Sequence, residues 1–309
     1  MDSEPVIDDR SGDTAASDSS AEVNRRAPNE VFGCIAIVGV GLIGGSLGMA
    51  LRARGLAGSV LGIDRSEAIL ARARNLGAID TGTVDLLALL EADCVFFASS
   101  VGGLPALMTL AAPFISPGAI VTDVGSLKRR IVEVGENLFG ARFIGGHPMA
   151  GSESSGIDAA RAGLFEGASW ALASSRQVPP QNDEAHSRIS ALVRALGAKP
   201  IPLSPERHDH LVALVSHLPH ALSFAFSQAL ALQPAGAHAI AIAGPSYRDI
   251  SRISHASPDL WADILMENRD ELLPAIASFE ASLSRIRAAA ETGDRDALLT
   301  CLTRVDPTP

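Results

Sequence analysis

Cysteine is scarce in this 309-residue chain: Cys34, Cys94 and Cys301 are the whole supply, too scattered for a disulfide framework, and none belongs to a CxxC pair. No HExxH motif or carboxylate cluster accompanies the histidines, so no metal is expected. Basic charge is short as well. With 25 Lys and Arg against 35 Asp and Glu the formal net charge is −10, whereas a general nucleic-acid binder needs a cationic surplus to meet phosphates. Small-molecule chemistry in a reducing cytoplasm is the expectation, with no nucleic-acid partner.

Half of that negative charge lies near the start. Residues 1–30 hold eight acids (Asp2, Glu4, Asp8, Asp9, Asp13, Asp18, Glu22, Glu30) and three arginines (Arg10, Arg25, Arg26) among Ser, Ala and Pro, a composition expected to stay disordered. A secretory or transit peptide would be basic instead. Residues 1–31 are therefore set aside as an acidic tail.

Val31 to Leu51 is uncharged for 21 residues, long enough for a membrane helix. Six glycines (Gly33, Gly39, Gly41, Gly44, Gly45, Gly48) argue for a strand, a tight turn and a helix instead, so no membrane association is expected. Cys34–Val38 reads as a buried parallel strand. Gly39-Val-Gly-Leu-Ile-Gly44 then fits GxGxxG: Gly39 permits the turn, Gly41 lets the backbone approach a pyrophosphate, and Gly44 lets the next helix pack on the strand. Leu42 and Ile43 sit where that helix presents its N-terminus to phosphates. A second strand, Ser59–Ile63, ends at Asp64, 20 residues beyond Gly44, where a ribose-binding carboxylate belongs. Asp64 would repel a 2′-phosphate, although Arg65 softens the preference; NAD is expected over NADP.

Further strands are expected at Asp93–Ala98, Ala119–Asp123, Arg142–Gly146 and Ala168–Leu172, separated by helical patterns such as Glu67–Leu76. The fold class that follows is α/β, a Rossmann-type doubly wound parallel sheet over residues 32–203, succeeded by an all-α dimerisation domain over 204–309. Ligands lie beyond the carboxyl ends of such strands. Ser99 and Ser100 follow one strand and join the expected cofactor set. Ser126 follows another in Val124-Gly-Ser-Leu-Lys128, and His147 follows a third in His147-Pro-Met-Ala-Gly-Ser-Glu153. A neutral imidazole suits a hydroxyl proton lost alongside a hydride, so His147 is the candidate catalytic base, with Ser126 orienting the same hydroxyl. Ser152 and Glu153 are secondary candidates for substrate contact.

The segments GVGLIGGSLG, TDVGSLK, GGHPMAGSESSG, LFEGASW, SHLPH and SRISHASPDLW make the chain resemble the prephenate/arogenate dehydrogenases of tyrosine biosynthesis over about residues 33–280. The glycine fingerprint is widely shared among dehydrogenases; GGHPMAGSE together with SHLPH is far more specific. The resemblance implies NAD-dependent oxidative decarboxylation of prephenate to 4-hydroxyphenylpyruvate, with arogenate as the alternative substrate. It implies that His147 accepts a hydrogen bond from the ring C4 hydroxyl, with Ser126 as the serine of DVGS. It further places a substrate-carboxylate arginine at Arg252 and the helical-domain histidine at His217.

Residues 205–232 carry Leu211, Leu214, Val215, Leu218, Leu222 and Phe226 at helical spacing. His210, His217 and Phe224 form another stripe seven residues apart, with Pro219 placed to kink the helix beside His217. His208, His210 and His220 read as solvated or core histidines. Trp261, Leu265, Leu272, Ile276, Phe279 and Leu283 continue the helical pattern, and apolar stripes left exposed suggest a homodimer. Arg248, Asp249 and Trp261 are expected to line the substrate cleft, from the same subunit or from its partner, and no regulatory domain is expected after the helical one. A non-catalytic NAD-binding sensor is the rival from another class, and it would have no use for His147 and Ser126.

Overall fold

The computed structural model describes Met1 and residues 30–152, 154–175 and 183–303. Most of the acidic tail and Glu153 lie outside the described residues. Among the described residues there are eight strands: β1 (Phe32–Val38), β2 (Ala57–Ile63), β3 (Thr81–Thr83), β4 (Cys94–Phe97), β5 (Ile120–Asp123), β6 (Phe143–Pro148), β7 (Ser169–Ala173) and β8 (Lys199–Leu203). They join in one sheet in the order β3-β2-β1-β4-β5-β6-β7-β8. All neighbours run parallel except β6 and β7.

Strand periodicity of two sends successive side chains to opposite faces, and here both faces are apolar. On one side Ile35 and Ile37 of β1 and Phe96 of β4 pack under α1 (Leu42–Arg54), α2 (Glu67–Asn75) and, further along the chain, the helix Glu184–Ala195. On the other, Ala36, Val38, Val95 and Phe97 pack under α3 (Leu104–Ala111) and α4 (Arg129–Phe139). Helices on both faces of a mainly parallel sheet are the doubly wound arrangement that the alternating runs predict. The uncharged run from Val31 to Leu51 resolves into β1, a turn and α1. Among the described residues no helix is long and apolar enough to cross a membrane.

Two strands escape the sequence pattern. β3 is only three residues long, and β8 carries Pro200 and Pro202. Proline cannot donate to a ladder, so β8 is tolerated because it ends the sheet. The third difference concerns the site: the expected strand Arg142–Gly146 instead spans Phe143–Pro148, so His147 lies within β6, paired with Ala171 across the antiparallel step.

From Pro205 to Leu302 the chain is a series of helices with short connections. Glu184–Ala195 being α5, the series continues with α6 (Pro205–Val212), α7 (Leu218–Ala231), α8 (Gly236–Ala241), α9 (Pro245–Ser251), α10 (Pro258–Glu267), α11 (Arg269–Thr292) and α12 (Arg295–Leu302). Ser204 starts α6 by accepting the Arg207 N–H, with Pro205 in the first turn where its missing N–H costs nothing. The single long helix expected over 205–232 is interrupted by a π-helical segment at Ala213–His217, after which Pro219 occupies the first turn of α7. That wider turn breaks the expected stripe: His210 is exposed, His217 is buried and Phe224 is half-buried. Val212 and Ile264 close the helical layer against the sheet's second apolar face.

Candidate active site

The glycine loop joins β1 to α1 at the point where the sheet order reverses, with β2 on one side of β1 and β4 on the other. Each glycine has a separate reason. Gly39 sits at φ +98°, and a Cβ there would meet the Ala98 carbonyl oxygen at 2.6 Å. A Cβ on Gly44 would lie 2.0 Å from the Gly39 carbonyl oxygen and 3.0 Å from Ile37, so this glycine brings α1 against β1. Gly41 has an ordinary φ of −88° and open space where its Cβ would be. Nothing internal demands glycine there; a diphosphate seated on the loop would.

Asp64, just beyond β2, accepts the Val40 N–H at 3.1 Å through Oδ2 and the Ser66 N–H at 3.0 Å through Oδ1. One carboxylate thus braces the glycine loop and keeps lone pairs for a ribose diol. Leu42 and Ile43 open α1 half-buried, Ser99 and Ser100 are exposed beyond β4, and Arg65 is exposed beside Asp64. The loop and its carboxylate fit a dinucleotide.

A second set of side chains gathers where the helical layer meets β5 and β6. Asp123, at the end of β5, accepts the Gly125 N–H at 2.7 Å and the Gly146 N–H at 3.0 Å. It therefore joins the loop of Ser126 to the strand of His147. Lys128 Nζ closes on Asp123 Oδ2 at 2.5 Å, and neither side chain is exposed. Burial pushes the Asp123 carboxyl up and the Lys128 amine down, each opposed by the partner's charge.

His147 Nδ1 lies 2.9 Å from His208 Nε2, and His208 Nδ1 lies 2.7 Å from Asp209 Oδ1. Asp209 also accepts the backbone N–H groups of Lys128 and Arg129, at 2.8 and 3.0 Å. On the far side, Asn268 Nδ2 contacts the Asp209 carbonyl oxygen at 2.8 Å and His217 Nδ1 at 3.1 Å. Trp261 meets His217 in a T-shaped contact and stacks on His220 with ring centroids 3.5 Å apart.

Burial favours the neutral form of these imidazoles. His147 is driven well below its ordinary range by burial, reinforced by His208, the Lys128 cation and His217. His208 is lowered by burial against the pull of Asp209. His217 falls to about 4 through burial, although Asp209 opposes the change. Burial acts to raise Asp209, but hydrogen bonds from His208, Arg129 and Lys128 leave its carboxyl below the usual range. His220 is lowered by burial, against the pull of the Ser216 carbonyl it bonds, and to a lesser degree by the Arg252 charge.

Residues 47–201 match the model of the prephenate dehydrogenase nucleotide-binding domain, and residues 204–304 match the prephenate dehydrogenase dimerization domain. The chain belongs to the prephenate dehydrogenase family. Within the family it is 32% identical to a Bacillus subtilis prephenate dehydrogenase over 87% of this chain and 73% of the relative. It is 33% identical to the cyclohexadienyl dehydrogenase of Zymomonas mobilis over 87% and 92%. Among solved structures, A. aeolicus prephenate dehydrogenase in complex with hydroxyphenyl propionate and NAD+ superposes with a TM-score of 0.76 at 31% identity, covering 87% of this chain and 94% of that one.

For this prephenate dehydrogenase family member, the structure brings His147, His217 and Trp261 to one region, ties the Ser126 loop to it through Asp123, and sets Arg252 within electrostatic reach of His220. Ser152 is exposed, its hydroxyl donating to the Ser154 carbonyl. Arg248 and Asp249 are exposed on α9, and the Arg248 guanidinium donates to the Ala243 carbonyl. The histidines expected to be solvated or core residues divide: His210 is exposed and paired with Glu271, whereas His208 is buried against His147 and His220 stacks on Trp261. On the apolar stripe of residues 205–232, Leu214, Val215 and Phe226 are exposed on the single chain, as an apolar stripe left exposed would be. Sequence reasoning missed His208, Asp209, Asn268 and Lys128. The only local signal was His208-Asp209 beside a capped helix start and a lysine five residues beyond a strand-end aspartate; Asn268 gave none.

Proposed function

We propose that the protein oxidises prephenate with NAD+, releasing CO2 and forming 4-hydroxyphenylpyruvate. The observation that carries this reading is the convergence of His147, from the nucleotide-binding sheet, with His208 and His217 from the helical layer. It sets half-buried His147 against two buried imidazoles, all three favouring the neutral form, beside the carboxyl ends of the strands.

Bound NAD+ supplies the hydride acceptor. His147 takes the C4 hydroxyl proton as the C4 hydride departs, and Ser126 orients that hydroxyl. The C1–carboxylate bond then breaks, its electron pair enters the ring, and aromatisation drives the loss of CO2. His147 returns its proton to the phenolate oxygen, so the sequence consumes and releases no net proton. Arg252 holds a substrate carboxylate by bidentate pairing that lysine would not reproduce, and His217 donates to the substrate beside it. Ser152, Glu153, Arg248, Asp249 and Trp261 belong to the same substrate region, some of them reaching it from the second subunit.

Asp64 favours NAD over NADP. Residues 32–203 bind the cofactor, residues 204–309 form the substrate and dimerisation unit, and exposed Val215, Phe226, Leu232 and Ile242 suit a homodimer face. Free thiols at Cys34, Cys94 and Cys301 suit the cytoplasm.

The similarity to the Zymomonas cyclohexadienyl dehydrogenase keeps arogenate as a second substrate. Nicotinamide reduction with prephenate and with arogenate, each offered NAD and NADP while CO2 is trapped, separates the readings. Rapid NAD reduction with stoichiometric CO2 from prephenate is expected. Silence in all four reactions, with NAD still bound, would overturn the activity in favour of a sensor.

A further inference from the structure

We propose that Asp209 sets the proton positions of both site histidines in opposite senses, leaving His147 with its proton on Nδ1 and a bare Nε2, and His217 with its proton on Nε2. His208 and Asn268 are the positioning residues that transmit this choice. The proposal deepens the assigned reaction and rests on it for its catalytic meaning, but the proton positions themselves follow from hydrogen-bond accounting.

An ionised carboxylate only accepts. Asp209 Oδ1 already receives the Lys128 N–H, and Oδ2 the Arg129 N–H, so His208 Nδ1, 2.7 Å from Oδ1, must carry a proton. Burial favours the neutral form of His208, and a neutral ring whose Nδ1 carries the proton leaves Nε2 as a lone pair. That atom is 2.9 Å from His147 Nδ1, and one proton must lie between them. It therefore belongs to His147 Nδ1, and a neutral His147 presents a bare Nε2.

The backbone of the same residue fixes the other ring. The Asp209 carbonyl oxygen accepts from Asn268 Nδ2 at 2.8 Å. Turning the amide over would set two acceptors against each other, so the NH2 group faces this way. Its second hydrogen points at His217 Nδ1, 3.1 Å away, which must then be the acceptor. The proton of neutral His217 is left on Nε2.

Two histidines of identical chemistry are thereby given different tasks: His147 is a proton acceptor and His217 a donor to an oxygen of the substrate. When His147 becomes an imidazolium, its Nδ1–H still donates to His208 Nε2, and His208 in turn donates to the Asp209 carboxylate. Partners of this kind orient a ring and raise its basicity. The charged and titratable groups around the pair are Lys128, Asp123, Asp209 and His217.

The test is nitrogen NMR of the full chain labelled with 15N-histidine and saturated with NAD+, the His147 and His217 signals being assigned by loss in His147→Asn and His217→Asn. Expected are a protonated Nδ1 with a bare Nε2 for His147, and the reverse for His217. The opposite pattern at either ring overturns the proposal.

Kinetics supply the second arm. His208→Leu removes the acceptor and should lower kcat by about 10- to 100-fold with KM changed by less than about twofold. His208→Gln keeps an acceptor oxygen and should recover most of the loss. Equal losses in the two variants, or an unchanged kcat in His208→Leu, overturn it. Because the NMR needs no turnover, the assigned tautomers in a protein inactive on prephenate would sink the proposed activity and leave this inference standing.

Discussion

Replacing Lys128 by methionine tests how the sheet holds its catalytic edge. The side chain keeps its reach and loses its charge, and the damage falls on Asp123. That carboxylate is wholly buried and takes hydrogen bonds from Lys128 Nζ at 2.5 Å, Gly125 N–H at 2.7 Å and Gly146 N–H at 3.0 Å. Two amides remain after the substitution, but the compensating cation is gone. Breaking a buried pair from one side costs about 3–5 kcal/mol. Urea unfolding at neutral pH should show that loss as a lower midpoint at an unchanged slope.

The companion variant Asp123→Asn/Lys128→Met removes both charges and leaves one amide donor facing the new NH2 group, which costs about 1–3 kcal/mol. The double variant should therefore be more stable than Lys128→Met alone. A single variant within about 1 kcal/mol of the parent, or a double variant less stable than the single, would refute the reasoning. Since Asp123 also ties the Ser126 loop to the strand of His147, kcat should fall in Lys128→Met even at temperatures where the protein remains folded.

Stability should also decline as pH falls from about 6.5. His147, His208, His217 and His220 have folded values below their unfolded ones, so between the two values the unfolded chain binds more protons. His217, at about 4 when folded, contributes up to about 3 kcal/mol that is present above pH 6.5 and lost towards pH 4. Asp123, raised by burial, acts in the opposite direction; urea midpoints that do not move between pH 7.5 and 5 would reject the dominance of the histidines. Gly41→Ala should leave the melting temperature nearly unchanged while weakening NAD binding about tenfold or more, because its Cβ meets only open space. Gly44→Ala should lower both, since its Cβ would lie 2.0 Å from the Gly39 carbonyl oxygen, and equal thermal behaviour of the two variants would contradict that division. Asp64→Ala should weaken NAD more than NADP in a fluorescence titration; unchanged selectivity would remove Asp64 from the ribose site.

The glycine loop was legible because its information is local. A buried strand, three glycines and a carboxylate 20 residues beyond form a pattern within one βαβ unit, and the observed turn assigns a different physical task to each glycine. The strands with apolar runs were legible for the same reason, since alternation along a few residues decides which face each side chain meets. β8 was not, because Pro200 and Pro202 disguise an edge strand whose place depends on β7. His147 and Ser126 could be selected from their positions after strands, although β6 runs further than its local pattern suggests.

His208 shows where that kind of reading stops. Nothing near it in the chain separates it from His210, which has the same residue type on the same helix, yet one is buried against His147 and the other is exposed. The difference arises from packing between segments 61 residues apart, and likewise Asp209 meets Lys128 across 81 residues. The sequence by itself determined the nucleotide loop, the α/β alternation and the helical second half, because propensity, periodicity and turn chemistry act over a few neighbours. Only the tertiary structure decided which histidines meet, where the π-helical turn directs His217 and how Asp209 comes to face both rings through its carboxylate and its backbone carbonyl. Those contacts exist only after distant elements have buried their shared apolar surface.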